Sequence, residues 1–198
     1  MPDHYFSNAP ESAHRPLEFR TAYQGQELVF ETDAGVFSRD GLDKGTELLL
    51  SALPPLRGDV LDLGCGWGAV GVSLAKAYPG LRVTLVDINS RAVELSKKNA
   101  AKNGVSVRAL ESNGFEALLE QQFSCIITNP PIRAGKQVIY GLFEQSARHL
   151  LPRGSLFIVI RKQQGAPSAL SFLETIYDKV QVVEKGGGFW VIRADTKG

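Results

Sequence analysis

From residue 58 to the C-terminus, short apolar runs rich in β-branched residues alternate with helix-length amphipathic segments. This alternation is typical of βαβ units, in which helices cover both faces of a parallel sheet. A first strand is predicted at Asp59 to Leu63, and the helix after it runs from about Trp67 to Pro79-Gly80. The pattern therefore predicts the doubly wound α/β class.

The same alternation continues along the rest of the chain. Further strands are predicted at 81–86, 105–110, 123–128 and 155–161, and further helices at 89–104, 137–151 and from 167 onward. Pro152 is predicted to stop the second of these helices, and Pro167 suits the first turn of the third. Two strand-like runs, 179–184 and 189–194, flank three consecutive glycines and predict an antiparallel hairpin. The sheet is therefore expected to be parallel with a terminal antiparallel strand.

Residues 1–57 are less regular than the remainder. They predict a hairpin around Gln26 to Phe37 and a helix that carries the leucines at 48, 49, 50 and 53. A chain of 198 residues is long enough for one α/β domain. We expect a single domain over 1–198, with residues 1–57 as an appendage or lid and residues 58–198 as the cofactor-binding and catalytic core.

Charge and apolar content restrict the partners and the location. Lys and Arg number 22 and Asp and Glu 21, a net charge of +1, so a nucleic acid would have to be held by a local patch. The longest apolar run, Leu156 to Ile160, is too short to span a bilayer, and the N-terminus does not resemble a signal peptide. Cys65 and Cys125 are interpreted as core residues in a reducing compartment. These features predict a cytoplasmic protein.

A glycine-rich turn directly follows the first strand and opens a helix. Its sequence, Gly64 to Gly71, lets the backbone turn sharply and approach a ligand closely. Asp87 lies at the end of the second strand, 25 residues after Asp62, where a carboxylate can accept both hydroxyls of a ribose. Together they predict an adenosine-type site. The same residues also satisfy the looser fingerprint of a dinucleotide site such as that for NAD.

The sequence Asn129-Pro130-Pro131-Ile132 follows the fourth strand, at the same carboxyl edge of the predicted sheet. An exocyclic or amide NH2 is a poor nucleophile until acceptors hold its hydrogens and free its lone pair. The side-chain oxygen of Asn129 and the carbonyl of Pro130 are suitable acceptors, because the prolines fix the backbone. This motif favours chemistry on an amine.

Other reaction classes find little support in the sequence. The three histidines show no metal-ligand spacing, so no metal is expected. No arrangement of nucleophile, base and orienting residue points to a hydrolase.

These residues resemble the class I S-adenosylmethionine-dependent methyltransferases over essentially the whole chain. More narrowly, Val36 to Thr46 (VFSRDGLDKGT), Ser112-Asn113 and Asn129-Pro130-Pro131 are similar to the RsmC-type guanine-N2 methyltransferases of small-subunit ribosomal RNA. The resemblance implies a Rossmann-like sheet of seven strands with the last strand antiparallel. Longer members carry a degenerate duplicate domain, for which 198 residues leave no room.

The resemblance also implies roles for individual residues, with S-adenosylmethionine as cofactor. The catalytic residues are Asn129, Pro130 and Pro131. The cofactor-binding residues are Thr46, Asp62, Gly64, Gly66, Gly68, Asp87, Ile88 and Asn113. Independently of the resemblance, positive charge clusters beside the predicted catalytic edge and is suited to RNA phosphates. The expected substrate-binding residues are therefore Phe37, Ile132, Arg133, Lys136, Arg161 and Lys162. The implied partner is ribosomal RNA or the small ribosomal subunit. From the residues themselves we expect no membrane and no metal, and we expect a monomer or weak homodimer.

One departure from the family pattern affects the substrate side. Base-amine methyltransferases commonly carry an aromatic residue after the two prolines, where this chain has Ile132. Phe37, Tyr5 and Phe6 are candidates for stacking the base instead. The alternatives are a protein glutamine amide or a DNA base as methyl acceptor, an NAD-dependent oxidoreductase, and a domain that binds cofactor and RNA without turnover.

Overall fold

A seven-stranded sheet forms the centre of the computed structural model, which describes residues 15–36, 38 and 41–198. The strands among these residues are β1 (Leu17–Tyr23), β2 (Gln26–Thr32), β3 (Asp59–Leu63), β4 (Arg82–Asp87), β5 (Arg108–Glu111), β6 (Phe123–Thr128), β7 (Leu150–Arg161), β8 (Lys179–Gly186) and β9 (Phe189–Asp195). The α-helices are α1 (Lys44–Ala52), α2 (Ala69–Ala77), α3 (Ser90–Lys102), α4 (Lys136–His149) and α5 (Ala166–Leu173).

The strand order across this sheet is β5-β4-β3-β6-β7-β9-β8. Strands β3 to β7 pair in parallel, and β9 lies between β7 and β8 and runs antiparallel to both. The predicted mostly parallel sheet with an antiparallel last strand is therefore confirmed.

Both faces of the sheet are covered by helices. Along β3, Val60 belongs to an apolar cluster shared with α1, α2 and α3, whereas Leu61 belongs to a second cluster shared with α4 and α5. Successive side chains of a strand point to opposite faces, so this division shows that the strand is buried on both sides. Burial on both faces explains why these strands appear in the sequence as continuous apolar runs.

The end of α4 differs from the prediction. The helix ends at His149 rather than Leu151, and Pro152 lies inside β7 instead of stopping the helix. Leu150 already pairs with Phe123 of β6, and the register then shifts before Cys125 pairs with Ser155. A proline is tolerated at such a bulge because no ladder hydrogen bond is required of it.

The N-terminal hairpin also lies elsewhere than predicted. It is formed by β1 and β2, with Gln24 and Gly25 at its turn, so Gln26–Thr32 is its second strand rather than its first. Both turn residues have positive φ, 49° and 74°, as the tight turns of two-residue hairpins require. Phe37, the predicted end of the hairpin, lies outside the described residues. The predicted helix with its four leucines corresponds to α1 and its C-cap, Leu53.

Two asparagine side chains, one in α3 and one at its C-cap, bind the free edge of β2. The Asn99 amide accepts from the Glu31 N–H at 2.8 Å and donates to the Glu31 carbonyl at 2.9 Å. One helical turn later, Asn103 makes the same pair of contacts with Val29, at 2.9 and 2.8 Å. Asn99 also donates to the carbonyl of Trp67, at 2.8 Å, in the glycine-rich turn. The amides replace a third strand and join the hairpin to that turn.

We expect Asn99→Ala to lower the free energy of unfolding by about 2 to 4 kcal/mol, because the half-buried backbone groups of Glu31 and the buried carbonyl of Trp67 lose their partners. Urea unfolding measures this change. Lys97→Ala is the matched control on the same helix, since its exposed pair with Glu94 is worth less than about 1 kcal/mol. A loss below about 1 kcal/mol for Asn99→Ala would show that water satisfies these groups instead.

Candidate active site

Four parallel strands end at one edge of the sheet and bring the predicted site residues together. The glycine-rich turn follows β3, Asp87 ends β4, Asn129 follows β6 and Arg161 ends β7. In open α/β sheets, ligands bind in the crevice outside this carboxyl edge. These residues therefore lie at one edge of the sheet, as the sequence predicted, and their roles stay a prediction.

The glycine-rich turn leaves open space for a ligand. Gly64 and Gly66 have φ of 73° and 54°, and a β-carbon added at either would meet nothing within 4 Å. The turn is tied to β4, because the N–H groups of Gly64 and Cys65 both donate to the Val86 carbonyl at 2.9 Å. Gly68 differs, since a β-carbon there would lie 3.0 Å from Ser96 of α3. Gly64 and Gly66 thus face the crevice, whereas Gly68 allows the turn to pack on α3.

Asp62 lies buried beneath this turn. One of its carboxylate oxygens accepts from the Gly71 N–H at 2.8 Å. Burial raises the pKa of Asp62 from 3.8 to about 7; the hydrogen bond from Gly71 opposes the rise and the charge of Asp87 adds to it. A ligand with a positive charge near this point would favour the ionised carboxylate.

This raised pKa predicts a pH-dependent stability of the ligand-free protein. Unfolded Asp62 ionises near pH 4 and folded Asp62 near pH 7, so its stabilising contribution is present at low pH and is lost as the pH rises through about 7. Asp62→Asn removes this titration. Relative to wild type, we expect its free energy of unfolding to rise by about 1 to 3 kcal/mol between pH 5 and pH 8 in urea titrations.

The surface residue Asp59 is the control for this titration. The hydrogen bond and charge of Arg82 lower the pKa of Asp59, so it stays ionised from pH 5 to pH 8 in both states. Asp59→Asn should therefore shift stability by a constant amount over this range. The same constant offset for Asp62→Asn would contradict the buried titration.

Asp87 is held by backbone donors and faces the crevice from β4. Its carboxylate accepts from the N–H of Gly66 at 2.8 Å and from that of Asn89 at 2.9 Å. Burial raises the pKa of Asp87, while these backbone hydrogen bonds oppose the rise. Each oxygen keeps a further lone pair, so the carboxylate can still accept two hydroxyls. Its geometry fits the predicted ribose contact.

Two more predicted cofactor residues lie beside Asp87. Ile88 follows it directly and is half-buried, and Asn113 is exposed after β5. The Asn113 amide nitrogen donates to Glu116 at 2.9 Å, so its oxygen can accept from an adenine amine. Phe115 instead stacks on His149 in the core, with ring centroids 4.5 Å apart.

Asn129 is contacted from the amino end of α1. Its amide nitrogen donates to the Thr46 hydroxyl at 3.0 Å and to the Asp43 carboxylate at 3.3 Å. Pro130 is buried and Pro131 is half-buried, which fixes the backbone that follows β6. Thr46, predicted to bind the cofactor, is buried and its hydroxyl is engaged by Asn129 and Asp43.

Exposed cations lie along the same edge. Lys136 places its ammonium 5.0 Å from the ring centroid of Tyr140, and the guanidinium of Arg161 lies 4.7 Å from that of Phe189. Among the described residues, these two and Lys162 form no ion pair. Ile132 is half-buried in the short 3-10 turn Ile132–Ala134. Tyr5, Phe6, Phe37 and the Arg133 side chain lie outside the described residues.

A second cleft lies at the opposite, amino edge of the sheet, with a volume of about 730 Å³. Its cations are engaged: Arg82 pairs with Asp59 at 2.5 Å and Arg108 donates to Gln121 at 2.8 Å. It contains none of the predicted site residues. Within the described part of the chain, no group of three or more acidic, histidine or cysteine residues could hold a metal ion, and no helix is long and apolar enough to cross a membrane.

Sequence reasoning did not assign site roles to Asp43 and Asn99. Asp43 stands at an N-cap position, which is readable from the sequence, but its contact with Asn129 spans 86 residues. Asn99 lies inside α3, where asparagine is unfavourable, and Asn103, four residues later, is the C-cap of that helix. The asparagine inside the helix, Asn99, was therefore the available signal for a polar contact.

The arrangement combines an open, glycine-lined crevice with acceptors for hydroxyl and amine groups. It can hold an adenosine-type ligand between Gly66, Asp87 and Asn113, and it presents Asn129 and Pro130 beside it. Such an arrangement suits a reaction that depends on the orientation of two reactants.

Comparisons with known proteins agree with this architecture. A family model described as methyltransferase small domain matches residues 27–193. YbxB of Bacillus subtilis (strain 168), an uncharacterised protein, is 42% identical over 198 residues, covering 98% of each chain. The ribosomal RNA small subunit methyltransferase C of Escherichia coli (strain K12 / DH10B) is 38% identical over 182 residues, covering 89% of this chain and 52% of the relative.

A solved structure is also similar. The 16S rRNA N2 G1207 methyltransferase (RsmC) of T. thermophilus, in complex with AdoMet and guanosine, superposes with a TM-score of 0.84 at 30% identity. The match covers 95% of this chain and 52% of that one. The chain therefore spans about half the length of the RsmC proteins that it matches.

Proposed function

The chain belongs to the methyltransferase small domain family, and on that premise we propose that it transfers the methyl group of S-adenosylmethionine to the N2 amine of a guanine in small-subunit ribosomal RNA. One observation carries the proposal. Asn129-Pro130-Pro131 stands at the same sheet edge as the glycine-rich turn and Asp87, so an amine held by Asn129 lies next to a bound cofactor.

S-adenosylmethionine fits the residues of the crevice. The open positions at Gly64 and Gly66 admit its methionine portion, close to the buried carboxylate of Asp62. Asp87 accepts the ribose hydroxyls, and the Asn113 oxygen accepts from the adenine amine. When bound, this cofactor supplies a methyl group on a positively charged sulfur, and the sulfur is the leaving group when a nucleophile attacks the methyl carbon in line.

Asn129 and Pro130 prepare the nucleophile. The guanine N2 lone pair is delocalised into the ring, and it becomes available when the Asn129 and Pro130 oxygens accept the amine hydrogens. The amine nitrogen forms the new N–C bond as the S–C bond breaks. The methylated amine is then acidic and releases its proton to water. Orientation of this kind supplies roughly 7 to 11 kcal/mol in favourable cases.

The exposed cations support an RNA substrate. Lys136, Arg161 and Lys162 lie on the edge where the base must enter, and unpaired surface cations bind phosphates. A protein of net charge +1 with few such contacts binds RNA modestly, so a structured target that adds shape recognition is favoured. The relatives named as ribosomal RNA methyltransferases agree with this choice.

The test is transfer of labelled methyl from S-adenosylmethionine to separated small subunits, large subunits and extracted RNA. We expect label in RNA from the small-subunit fraction, with a rate that falls steeply between low and moderate salt. Label in the ribosomal proteins of the subunits, with none in RNA, would instead favour a protein amide as acceptor. Absence of label from every fraction, with cofactor binding intact, would contradict the proposed substrate.

A further inference from the structure

The amino end of α1 contacts the Asn129 side chain through two oxygens. These are the hydroxyl of Thr46, 3.0 Å from the amide nitrogen, and a carboxylate oxygen of Asp43, 3.3 Å from it. Thr46 and Asp43 are themselves joined, because the hydroxyl donates to that same carboxylate oxygen at 2.5 Å. The three side chains form one closed cluster.

The proton positions in this cluster allow one orientation of the Asn129 amide. Thr46 has a single hydroxyl proton, and it is donated in the hydrogen bond to the Asp43 carboxylate. Both groups therefore present only acceptors to Asn129. Only the amide NH2 can satisfy two acceptors, since the flipped amide would place its oxygen against a carboxylate. The amide oxygen of Asn129 therefore points away from Asp43 and Thr46, and no described residue donates a hydrogen bond to it.

Asp43 is itself held in place. Its second carboxylate oxygen caps α1, accepting from the N–H of Gly45 at 2.9 Å and that of Thr46 at 3.3 Å. A β-carbon at position 45 would lie 2.9 Å from this oxygen and 2.9 Å from the Phe189 ring, so the cap is packed closely against β9. One oxygen of Asp43 fixes the helix, and the other fixes Asn129.

We propose that Asp43 is a positioning residue, which fixes the Asn129 amide so that its oxygen, and not its NH2, meets the amine to be methylated. This inference rests on the proposed function only in requiring an amine substrate. If the amide turned over, its NH2 would face the N–H groups of the amine, and the lone pair would not be freed. Asp43 thereby determines that the oxygen of the Asn129 amide faces the substrate, without contacting the substrate itself.

The test separates this role from helix capping. Asp43→Asn and Asp43→Ser both introduce good N-cap residues, so α1 and the thermal unfolding midpoint should be retained. Neither can cap the helix and also offer a second acceptor to Asn129. We expect kcat to fall about 30-fold or more in both variants, with an unchanged Kd for S-adenosylmethionine. Wild-type kcat in both variants would mean that Asp43 only caps the helix.

A reversed pair gives a second, sharper result. In the double variant Asp43→Asn/Asn129→Asp, the introduced amide donates to the introduced carboxylate, whose other oxygen still faces the substrate as an acceptor. We expect kcat to recover about tenfold over Asp43→Asn alone. Equal or lower activity of the double variant than of Asp43→Asn would overturn the inference. It would show that Asp43 does not act by presenting an acceptor oxygen at position 129 to the substrate.

A measurement without substrate distinguishes this inference from the proposed function. The Asn129 side-chain NH2 signals in ¹⁵N-correlated NMR spectra, assigned from their loss in Asn129→Ala, should exchange with water slowly in wild type and rapidly in Asp43→Ser. Rapid exchange in both proteins would overturn the contact itself. Failure of the wild type to methylate RNA would contradict the proposed substrate and leave the NMR result to decide on the contact.

Discussion

Replacing Asn129 with alanine is expected to lower kcat about 100-fold or more and to leave the Kd for S-adenosylmethionine within about threefold of wild type. The reason is that the proposed role of Asn129 is to contact the amine and not the cofactor. Its removal takes away the acceptor that frees the lone pair, while Gly64, Gly66 and Asp87 remain in place. Steady-state methyl transfer gives kcat, and isothermal titration calorimetry gives the Kd.

Gln163→Ala is the matched control for this variant. Gln163 is an exposed neutral residue at the same edge, in the 3-10 turn Lys162–Gln164, and its removal should change kcat less than about twofold. Wild-type turnover by Asn129→Ala would refute the catalytic role of the Asn-Pro-Pro motif. A parallel loss of kcat and cofactor affinity would place Asn129 in the cofactor site instead.

Asp87→Ala is expected to weaken S-adenosylmethionine binding about 100-fold or more. In the proposed complex two ribose hydroxyls donate to the Asp87 carboxylate, and a hydrogen bond to a charged group contributes about 1.5 to 3 kcal/mol. The variant also releases the Gly66 N–H, which Asp87 holds at 2.8 Å, so the glycine-rich turn becomes less ordered. Calorimetric titration of the purified protein with the cofactor measures this loss.

Asp59→Ala serves as the comparison, because it removes a carboxylate from the start of β3, at the opposite edge of the sheet. Its exposed pair with Arg82 contributes little, so the cofactor Kd should stay unchanged. If Asp87→Ala bound S-adenosylmethionine as tightly as Asp59→Ala does, the ribose contact assigned to Asp87 would be wrong.

Much of the sheet could be predicted from the sequence, because buried parallel strands read as continuous apolar runs bounded by turn residues. The strands Asp59–Leu63 and Phe123–Thr128 were predicted with their observed bounds. Pro152 was misread because a proline after an amphipathic run normally ends a helix, whereas here a bulge in β7 accommodates it. The hairpin was misplaced because two turn signals, Gln24-Gly25 and Ala34-Gly35, compete at the sequence level.

The site was predictable to the extent that topology alone assembles it. Parallel strands bring their carboxyl ends together, so Gly66, Asp87 and Asn129 had to converge if the strands were read correctly. The partners of these residues were not predictable, because side-chain contacts of high sequence separation leave no local pattern. The contact between Asp43 and Asn129 is one such case, and the contact between Asn99 and the backbone of Glu31, 68 residues away, is another.

The identity of the methylated atom tests the account most directly. Small ribosomal subunits are incubated with the protein and S-adenosylmethionine bearing an isotopically labelled methyl group, and their RNA is digested to nucleosides for mass spectrometry. We predict labelled N2-methylguanosine with wild-type protein and a severe loss of it with Asn129→Ala. Label on a ring nitrogen, a ribose oxygen or a base other than guanine would contradict this prediction.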